Sequence, residues 1–194
     1  MDKNKTESGF ALLMTMIVVG AVISIGLSML DLTLRQVRLS TNAKESEIAF
    51  HAANAGLECA QFWRRASSTE MESGSNISPK CFNVSAGSVG PTIPSSFTGD
   101  GNAVLYDYQF EWGPSGSTRC TKARTLIINS DVTGGGATVS NMKTAALFPA
   151  YPNTDKDCLP GSICTIISVQ GYNKPCSTIN TSYGVVQREV LLQL

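Results

Sequence analysis

Residues 10–30 read FALLMTMIVVGAVISIGLSML, an almost continuous apolar run of 21 residues. No charged residue occurs between Glu7 and Asp31. A helix of this length spans about 32 Å, which matches the hydrocarbon core of a bilayer. Eleven of its residues are Leu, Ile, Val or Phe, and together they favour membrane insertion by about 3 to 7 kcal/mol. The run therefore predicts a transmembrane helix over residues 10–30.

The flanks of this run argue against a cleaved secretory signal. Such a signal has a shorter apolar core followed by a small-residue cleavage site, whereas here Asp31 begins a polar but still helical pattern. Lys3 and Lys5 precede the run, as positive charges do on the cytoplasmic side of a membrane. The sequence predicts a single-pass protein of the inner or cytoplasmic membrane with an extracytoplasmic C-terminal domain.

The helical pattern continues beyond the membrane run to about Arg65. Apolar or small residues recur at steps of mostly three or four, with one gap near Lys44. They are Leu27, Leu30, Leu34, Val37, Thr41, Ile48, Ala52, Ala55, Cys59 and Phe62. This spacing places them on one helix face. We predict one long helix whose second half, residues 31–65, is amphipathic and packs on a domain.

A row of small residues lies inside the membrane run, at Gly20, Ser24 and Ser28. Rows of this spacing let helix backbones approach closely in a membrane. The row predicts a helix packing surface. The alternative is a chance spacing, because small residues are common in membrane helices.

Residues 66–194 have the pattern of a β domain with long loops. The stretch 66–80 is rich in Ser and Asn, which marks the helix end and a loop. Strand-like runs then cover residues 104–112, 122–132, 163–170 and 184–193. In the first of them, Val104, Tyr106, Tyr108, Phe110 and Trp112 alternate with Leu105 and polar residues, which predicts a half-buried strand.

The predicted fold class is α+β, with the long helix packed on an antiparallel sheet. Antiparallel pairing is favoured because short loops connect the strands. The face from Ile48 to Phe62 would cover the sheet, and we expect a thin two-layer domain because no second apolar layer is evident.

Six cysteines follow the membrane run, and none of them forms a C-x-x-C pair. An even number in an extracytoplasmic domain predicts disulfides, although six cysteines allow fifteen connectivities. We expect Cys59–Cys81 to tie the helix end to the next loop, Cys158–Cys164 to close a local loop and Cys120–Cys176 to join strand ends. The alternative is free buried thiols.

Composition argues against catalysis and against nucleic-acid binding. The formal net charge is 0, which leaves no basic excess for phosphates. His51 is the only histidine and lies beside the apolar stripe, where packing or solvation is expected. We find no nucleophile–base pair, so we predict no enzyme activity, no catalytic residue, no cofactor and no metal site.

One short segment resembles the start of a calcium loop. Asn153, Asp155 and Asp157 alternate, but the glycine position is Cys158 and the twelfth position is Cys164 instead of Glu. A solvated turn is the preferred interpretation, and calcium binding near Asp155 and Asp157 stays open.

The junction of the polar leader and the apolar run is Gly9-Phe10. A short charged leader that ends in Gly, followed by Phe and a long apolar helix, resembles the signal of type IV prepilins. The resemblance implies that a prepilin peptidase cuts after Gly9 and that residues 1–9 are a leader. It also implies that the new amino terminus at Phe10 is methylated and that the helix remains as the filament assembly element.

Met14 departs from the family pattern, because most prepilins carry Glu at this fifth mature position. In the family that carboxylate neutralises the terminal amine of a neighbouring subunit, and a buried unpaired ammonium is costly. A subunit without the carboxylate fits best at the end of a filament. Met14 therefore favours a minor, tip-type subunit.

Residues 49–58, AFHAANAGLE, resemble a helix segment of PilX-like minor pilins, with Asn54 in place of the usual Glu. The matching residues are Ala49, Phe50, Ala52, Ala53, Ala55, Gly56 and Leu57. Independently of the family, so many small side chains would let a sheet or another helix approach closely. The two resemblances together cover about residues 7–65.

These resemblances imply a minor pilin or pilus-tip subunit of a type IV pilus-like filament, acting in assembly priming or surface contact. The implied partners are other pilin subunits, an inner-membrane assembly platform, the prepilin peptidase and the membrane. The protein would move from the membrane to the pilus tip. The alternatives are a pseudopilin of type II secretion or DNA uptake, and an unprocessed membrane-anchored adhesin or binding domain.

Overall fold

A computed structural model of the chain describes residues 5–143, 148–152 and 154–194. The protein is α+β, with one long N-terminal helix followed by antiparallel sheets. It divides into two compact units, Met1–Lys44 and Glu45–Leu194.

The first unit is helical. Helix α1, Lys5–Ala66, begins in this unit and is unbroken at Asp31. Every side chain from Gly9 to Lys44 is exposed, and this part of α1 is long and apolar enough to cross a membrane. The Thr15 hydroxyl donates to the Leu12 carbonyl at 2.8 Å. A hydroxyl of this kind finds its hydrogen-bond acceptor within the helix. It therefore does not prevent the helix from lying in an apolar environment.

In its described residues, the second unit contains the end of α1, a short helix and nine strands. The short helix is α2, Ser68–Ser73. The strands are β1 Lys80–Cys81, β2 Val84–Ser85, β3 Phe97–Gly99, β4 Gly101–Trp112, β5 Arg119–Ser130, β6 Ala137–Val139, β7 Lys156–Cys158, β8 Ile163–Tyr172 and β9 Gln187–Gln193.

The main sheet has the order β4-β5-β8-β9, and every neighbouring pair is antiparallel. These four strands are the four that the sequence predicts, so the antiparallel sheet is confirmed. Their bounds differ by a few residues, and β8 continues to Tyr172, two residues beyond its predicted end. Two smaller antiparallel sheets have the orders β1-β2 and β3-β6-β7.

One face of the main sheet packs against α1, α2 and the hairpin formed by β1 and β2. Buried on this side are Ala60, Met71, Ile77, Cys81, Val89, Val104, Tyr106, Tyr108, Phe110, Ala123, Ile127, Ile167 and Val169. The inward alternation of the β4 side chains from Val104 to Phe110 was predicted, and it follows from the two-residue period of a strand.

The expectation of a thin two-layer domain is wrong. A second apolar cluster covers the opposite face of the sheet, built from Ala103, Leu105, Leu126, Ile128, Ala137, Val139, Met142, Phe148, Tyr151, Cys158 and Ile166. Strands β3, β6 and β7 supply part of this layer and have only three residues each. Such short strands carry too little periodicity to be recognised in the sequence.

The stretch 66–80, expected to be a loop, contains α2. Met71 is fully buried and anchors this helix to the core. Gly74 ends the helix in the left-handed region at φ 73°, and its N–H lies near the Met71 carbonyl. A glycine in this conformation is a common helix terminator, so Met71 and Gly74 were the signals that the loop prediction missed.

Candidate functional site

The small-residue segment of α1 lies directly on strand β8. Gly171 faces the helix, and a Cβ atom at this position would overlap the Ala49 carbonyl oxygen and the Ala53 nitrogen. The side chains of Ala49, Ala52 and Ala53 are fully buried. The backbone of the helix therefore contacts the backbone of the strand. This close contact is possible because the strand residue is glycine and the helix residues are alanine.

A reciprocal contact lies one turn further along the helix. A Cβ atom at Gly56 would overlap the Thr121 methyl group and would lie 2.8 Å from a Val169 methyl group. Thus a sheet glycine accommodates the helix at one point, and a helix glycine accommodates the sheet at the next. We call this contact, Ala49–Gly56 against Thr121, Val169 and Gly171, the docking seam.

The face of α1 that contacts the sheet differs from the face that was predicted from the sequence. Phe62 was expected to cover the sheet but is 62% exposed, and Phe50 is also exposed, whereas Ala60 is fully buried. Leu57 is partly buried against the core. The predicted face was chosen by apolar character, whereas the close approach of α1 to the sheet requires the smallest side chains. The face of α1 that contacts the sheet is therefore displaced by about one residue from the predicted face.

A buried threonine joins three elements at the seam. The Trp112 indole Nε1–H donates to Thr121 Oγ1 at 2.9 Å, and the Thr121 hydroxyl donates to the Ala52 carbonyl at 3.1 Å. Thr121 is fully buried. The relay links the end of β4 to the docked segment of α1 through β5. Sequence reasoning missed it, because a single threonine in a strand carries no signal of its partners.

Polar contacts hold the beginning of the docked helix segment. Asn173 Nδ2 donates to Glu45 Oε2 at 2.7 Å and to the Gly184 carbonyl at 3.0 Å. Arg188 Nε donates to Ser46 Oγ at 2.8 Å. Glu45 and Ser46, the first two residues of the second unit, are therefore hydrogen-bonded to the loop after β8 and to the beginning of β9.

The end of α1 is held by an ion pair and a disulfide. Arg64 Nη2 lies 2.7 Å from Glu72 Oε1, and Arg64 Nε donates to Thr165 Oγ1 at 3.1 Å. The Arg64 side chain is 11% exposed, so its charge is paired where water is largely excluded. The disulfide Cys59–Cys81 joins the same end of the helix to β1, with the two Cα atoms 6.1 Å apart.

The structure pairs the six cysteines as expected from their chain positions. Besides Cys59–Cys81 it contains Cys120–Cys176 and Cys158–Cys164, with Cα atoms 4.7 and 5.9 Å apart. Cys120–Cys176 attaches the loop between β8 and β9 to β5. Cys158–Cys164 closes the turn between β7 and β8.

The predicted residues of the first unit lie along the exposed helix. Phe10 and Met14 are exposed. In the small-residue row, a Cβ atom at Gly20 would meet nothing within 4 Å, and Ser28 Oγ donates to the Ser24 carbonyl at 2.9 Å. The row therefore presents backbone that another helix can approach.

The acidic segment that resembles the start of a calcium loop accepts hydrogen bonds from protein donors. Asp155 Oδ1 accepts from the Asn141 backbone N–H at 2.9 Å, and Asp157 Oδ1 accepts from Thr138 Oγ1 at 2.7 Å. Asn153 lies outside the described residues. Within the described ranges, no group of three or more His, Cys, Asp or Glu side chains is arranged to hold a metal ion.

Comparison with protein-family models, with curated proteins and with solved structures finds no match for this chain.

Proposed function

We propose that this protein is a minor pilin, a tip-type subunit of a type IV pilus-like filament that acts in assembly priming or surface contact. The observation that carries the proposal is that one helix, α1, has an apolar exposed segment and a second segment docked on an antiparallel sheet through a small-residue seam. The first segment serves assembly, and the second carries the domain.

The apolar side chains of α1 between Phe10 and Leu30 need a cover, because no described part of the chain buries them. Lipid tails provide it before assembly, and helices of other subunits provide it afterwards. Both surroundings are apolar, so the transfer does not require the burial of new polar groups. Gly20, Ser24 and Ser28 supply the close contact that helix association in a membrane uses.

Processing and position in the filament follow from Gly9, Phe10 and Met14. Cleavage after Gly9 creates an amine at Phe10 for methylation, and Met14 offers no carboxylate to the amine of an adjacent subunit. A subunit at the tip has no such neighbour to neutralise. The proposed partners are other pilin subunits, the assembly platform in the inner membrane and the prepilin peptidase.

Mass spectrometry of the mature amino terminus tests the proposal. The chain is recovered from membranes and from sheared filaments, and the expected terminus in both is N-methylated Phe10. Gly9→Val is a matched variant, since a Cβ atom at Gly9 meets nothing within 4 Å. It should keep Met1, stay in the membrane and be absent from filaments. Retention of Met1 in the wild-type chain contradicts the proposal and favours an unprocessed anchored adhesin.

A further inference from the structure

Strand β9 is an open edge of the main sheet. Among the described strands it pairs with β8 alone. Its residues Gln187–Gln193 contain no proline, and Val190, Leu191 and Leu192 at its centre are uncharged and only partly buried. An edge of this kind presents unpaired main-chain donors and acceptors.

The register identifies which groups of β9 face outward. Thr165 and Leu194 exchange two hydrogen bonds, of 3.0 and 2.9 Å, and the Asn173 N–H donates to the Val186 carbonyl. In an antiparallel pair, residues that bond to the neighbour alternate with residues that do not. The even-numbered residues therefore bond to β8. The backbone groups of Gln187, Glu189, Leu191 and Gln193 point away from the sheet.

The opposite edge of the sheet is protected. Leu105 of β4 exchanges two backbone hydrogen bonds with Thr92, of 2.9 and 2.8 Å, and the hairpin β1-β2 lies beside the same strand. Natural sheets commonly cover or block their edges. In this sheet β4 is covered, whereas no described strand pairs with the outer side of β9. Lys156 Nζ donates to Gln193 Oε1 at 3.4 Å, at the last residue of β9.

The charged side chains of β9 do not shield its edge either. Arg188 is turned back to Ser46 of α1. The Glu189 carboxylate accepts hydrogen bonds from Ser168 and Gln170 of β8. Both charges are thus held over the protein's own sheet and helix, which leaves the outward N–H and C=O groups accessible.

We propose that the outer edge of β9 binds an extended segment of another polypeptide, which adds to the main sheet as a fifth strand. Outward groups recur every second residue, about 6.8 Å apart, and an extended main chain carries complementary donors and acceptors at the same spacing. Main-chain hydrogen bonds then give affinity, and alternate side chains give specificity. The apolar centre of β9 selects β-branched or other apolar residues on the incoming strand.

A second copy of this chain is the alternative occupant. Two β9 strands would pair antiparallel about a two-fold axis and give a dimer, so the oligomeric state of the wild-type chain distinguishes this occupant from a segment of another polypeptide.

The test uses the full chain in detergent and a synthetic nine-residue peptide of alternating Val and Thr with terminal lysines. Hydrogen–deuterium exchange is measured at single-residue resolution. We expect the peptide to slow exchange at Glu189 and Leu191, while the amides of Val190 and Leu192 are protected with or without it. A peptide with two adjacent central prolines lacks donors on both of its edges and should give no protection.

Proline variants of β9 provide the matched comparison. Gln187→Pro and Gln193→Pro each remove one outward N–H and keep the bonds to β8, so each should weaken peptide binding by about tenfold. Gln187→Ala and Gln193→Ala should change it by less than about twofold. Exchange at Val190 and Leu192 verifies that the variants keep the sheet.

Three results overturn the proposal. The first is slow exchange at Glu189 and Leu191 in the free chain, because the edge is then already covered. The second is the absence of peptide protection, or protection that the proline variants retain. The third is a wild-type dimer that Gln193→Pro dissociates, since the occupant is then a second copy. The amino-terminal processing result bears on none of these readouts, so the two proposals fail independently.

Discussion

Gly171 and Ala49 are in backbone contact: a Cβ atom on the strand residue would overlap the carbonyl oxygen of the helix residue. The contact fixes how closely α1 approaches the main sheet. It also explains why the sheet-facing residues of the segment 49–56 are alanine or glycine, since each methylene added there would push the helix away from β8.

Substitution of the seam glycines should therefore destabilise the second unit. Gly171→Ala and Gly56→Ala each add a methyl group that would overlap atoms of the facing element. Overpacking of this kind costs about 1 to 3 kcal/mol, and Gly171→Ala should be the more damaging because its obstacle is backbone. Gly135→Ala is the control, since a Cβ atom there meets nothing within 4 Å. Denaturant unfolding of the full chain in detergent measures the difference, and equal stability of the Gly171 and Gly135 variants would contradict the seam.

The Thr121 relay should contribute measurably to the same docking. Thr121→Val keeps the shape of the side chain and leaves the Trp112 indole N–H without its acceptor and the Ala52 carbonyl without this donor. An unsatisfied buried polar group costs about 1 to 3 kcal/mol. Thr98→Val, on an exposed position of β3, should be nearly neutral. Thermal unfolding and Trp112 fluorescence report the change, and an unaltered melting temperature for Thr121→Val would show that the relay does not stabilise the docking.

The three disulfides should stabilise the chain in the order of the loops they close. The separations are 56 residues for Cys120–Cys176, 22 for Cys59–Cys81 and 6 for Cys158–Cys164. Loop-closure entropy gives about 4, 3 and 2 kcal/mol for these separations. Paired Cys→Ala variants, one pair at a time, test the order by chemical unfolding. A smaller loss for Cys120–Cys176 than for Cys158–Cys164 would show that loop closure is not the main term.

Alkaline pH should weaken the core through Tyr108. Burial raises the pKa of Tyr108 to about 12, and the Thr125 hydroxyl lowers it by a smaller amount. The folded-state pKa exceeds the unfolded value of 10, so the associated stability is complete below pH 10 and is lost as the pH rises towards 12. The wild-type chain should lose about 2 kcal/mol over this window relative to Tyr108→Phe.

The fully exposed Tyr183 supplies the control for that titration. Tyr183→Phe should follow the wild-type dependence of unfolding free energy on pH from 8 to 12. If Tyr108→Phe follows it as well, the Tyr108 phenol does not control alkaline unfolding.

Periodic and continuous patterns of the sequence predicted much of the architecture. The apolar run from Phe10 to Leu30, the continuation of α1 and the four strands of the main sheet are all long enough to show a helix or strand period. The segment from Ala49 to Gly56, which the sequence singles out by its small residues, lies at the seam. Its exact face could not be read from the sequence, because the pattern ranks apolar character and the contact selects for size.

Other features depend on residues that only the tertiary structure brings together. Sequence alone allowed fifteen cysteine connectivities, and spatial proximity selected one. The hydrogen bond from Thr121 to Ala52 joins residues that are 69 positions apart, and the hydrogen bond from Asn173 to Glu45 joins residues that are 128 positions apart.

Local sequence determined where α1 and the four strands of the main sheet form in this protein, because a repeating pattern of side chains fixes one element at a time. The tertiary structure decided which face of α1 docks, which short strands form the second layer and which sheet edge stays open. Those outcomes depend on close packing and directional hydrogen bonds between distant segments, and no single segment encodes them.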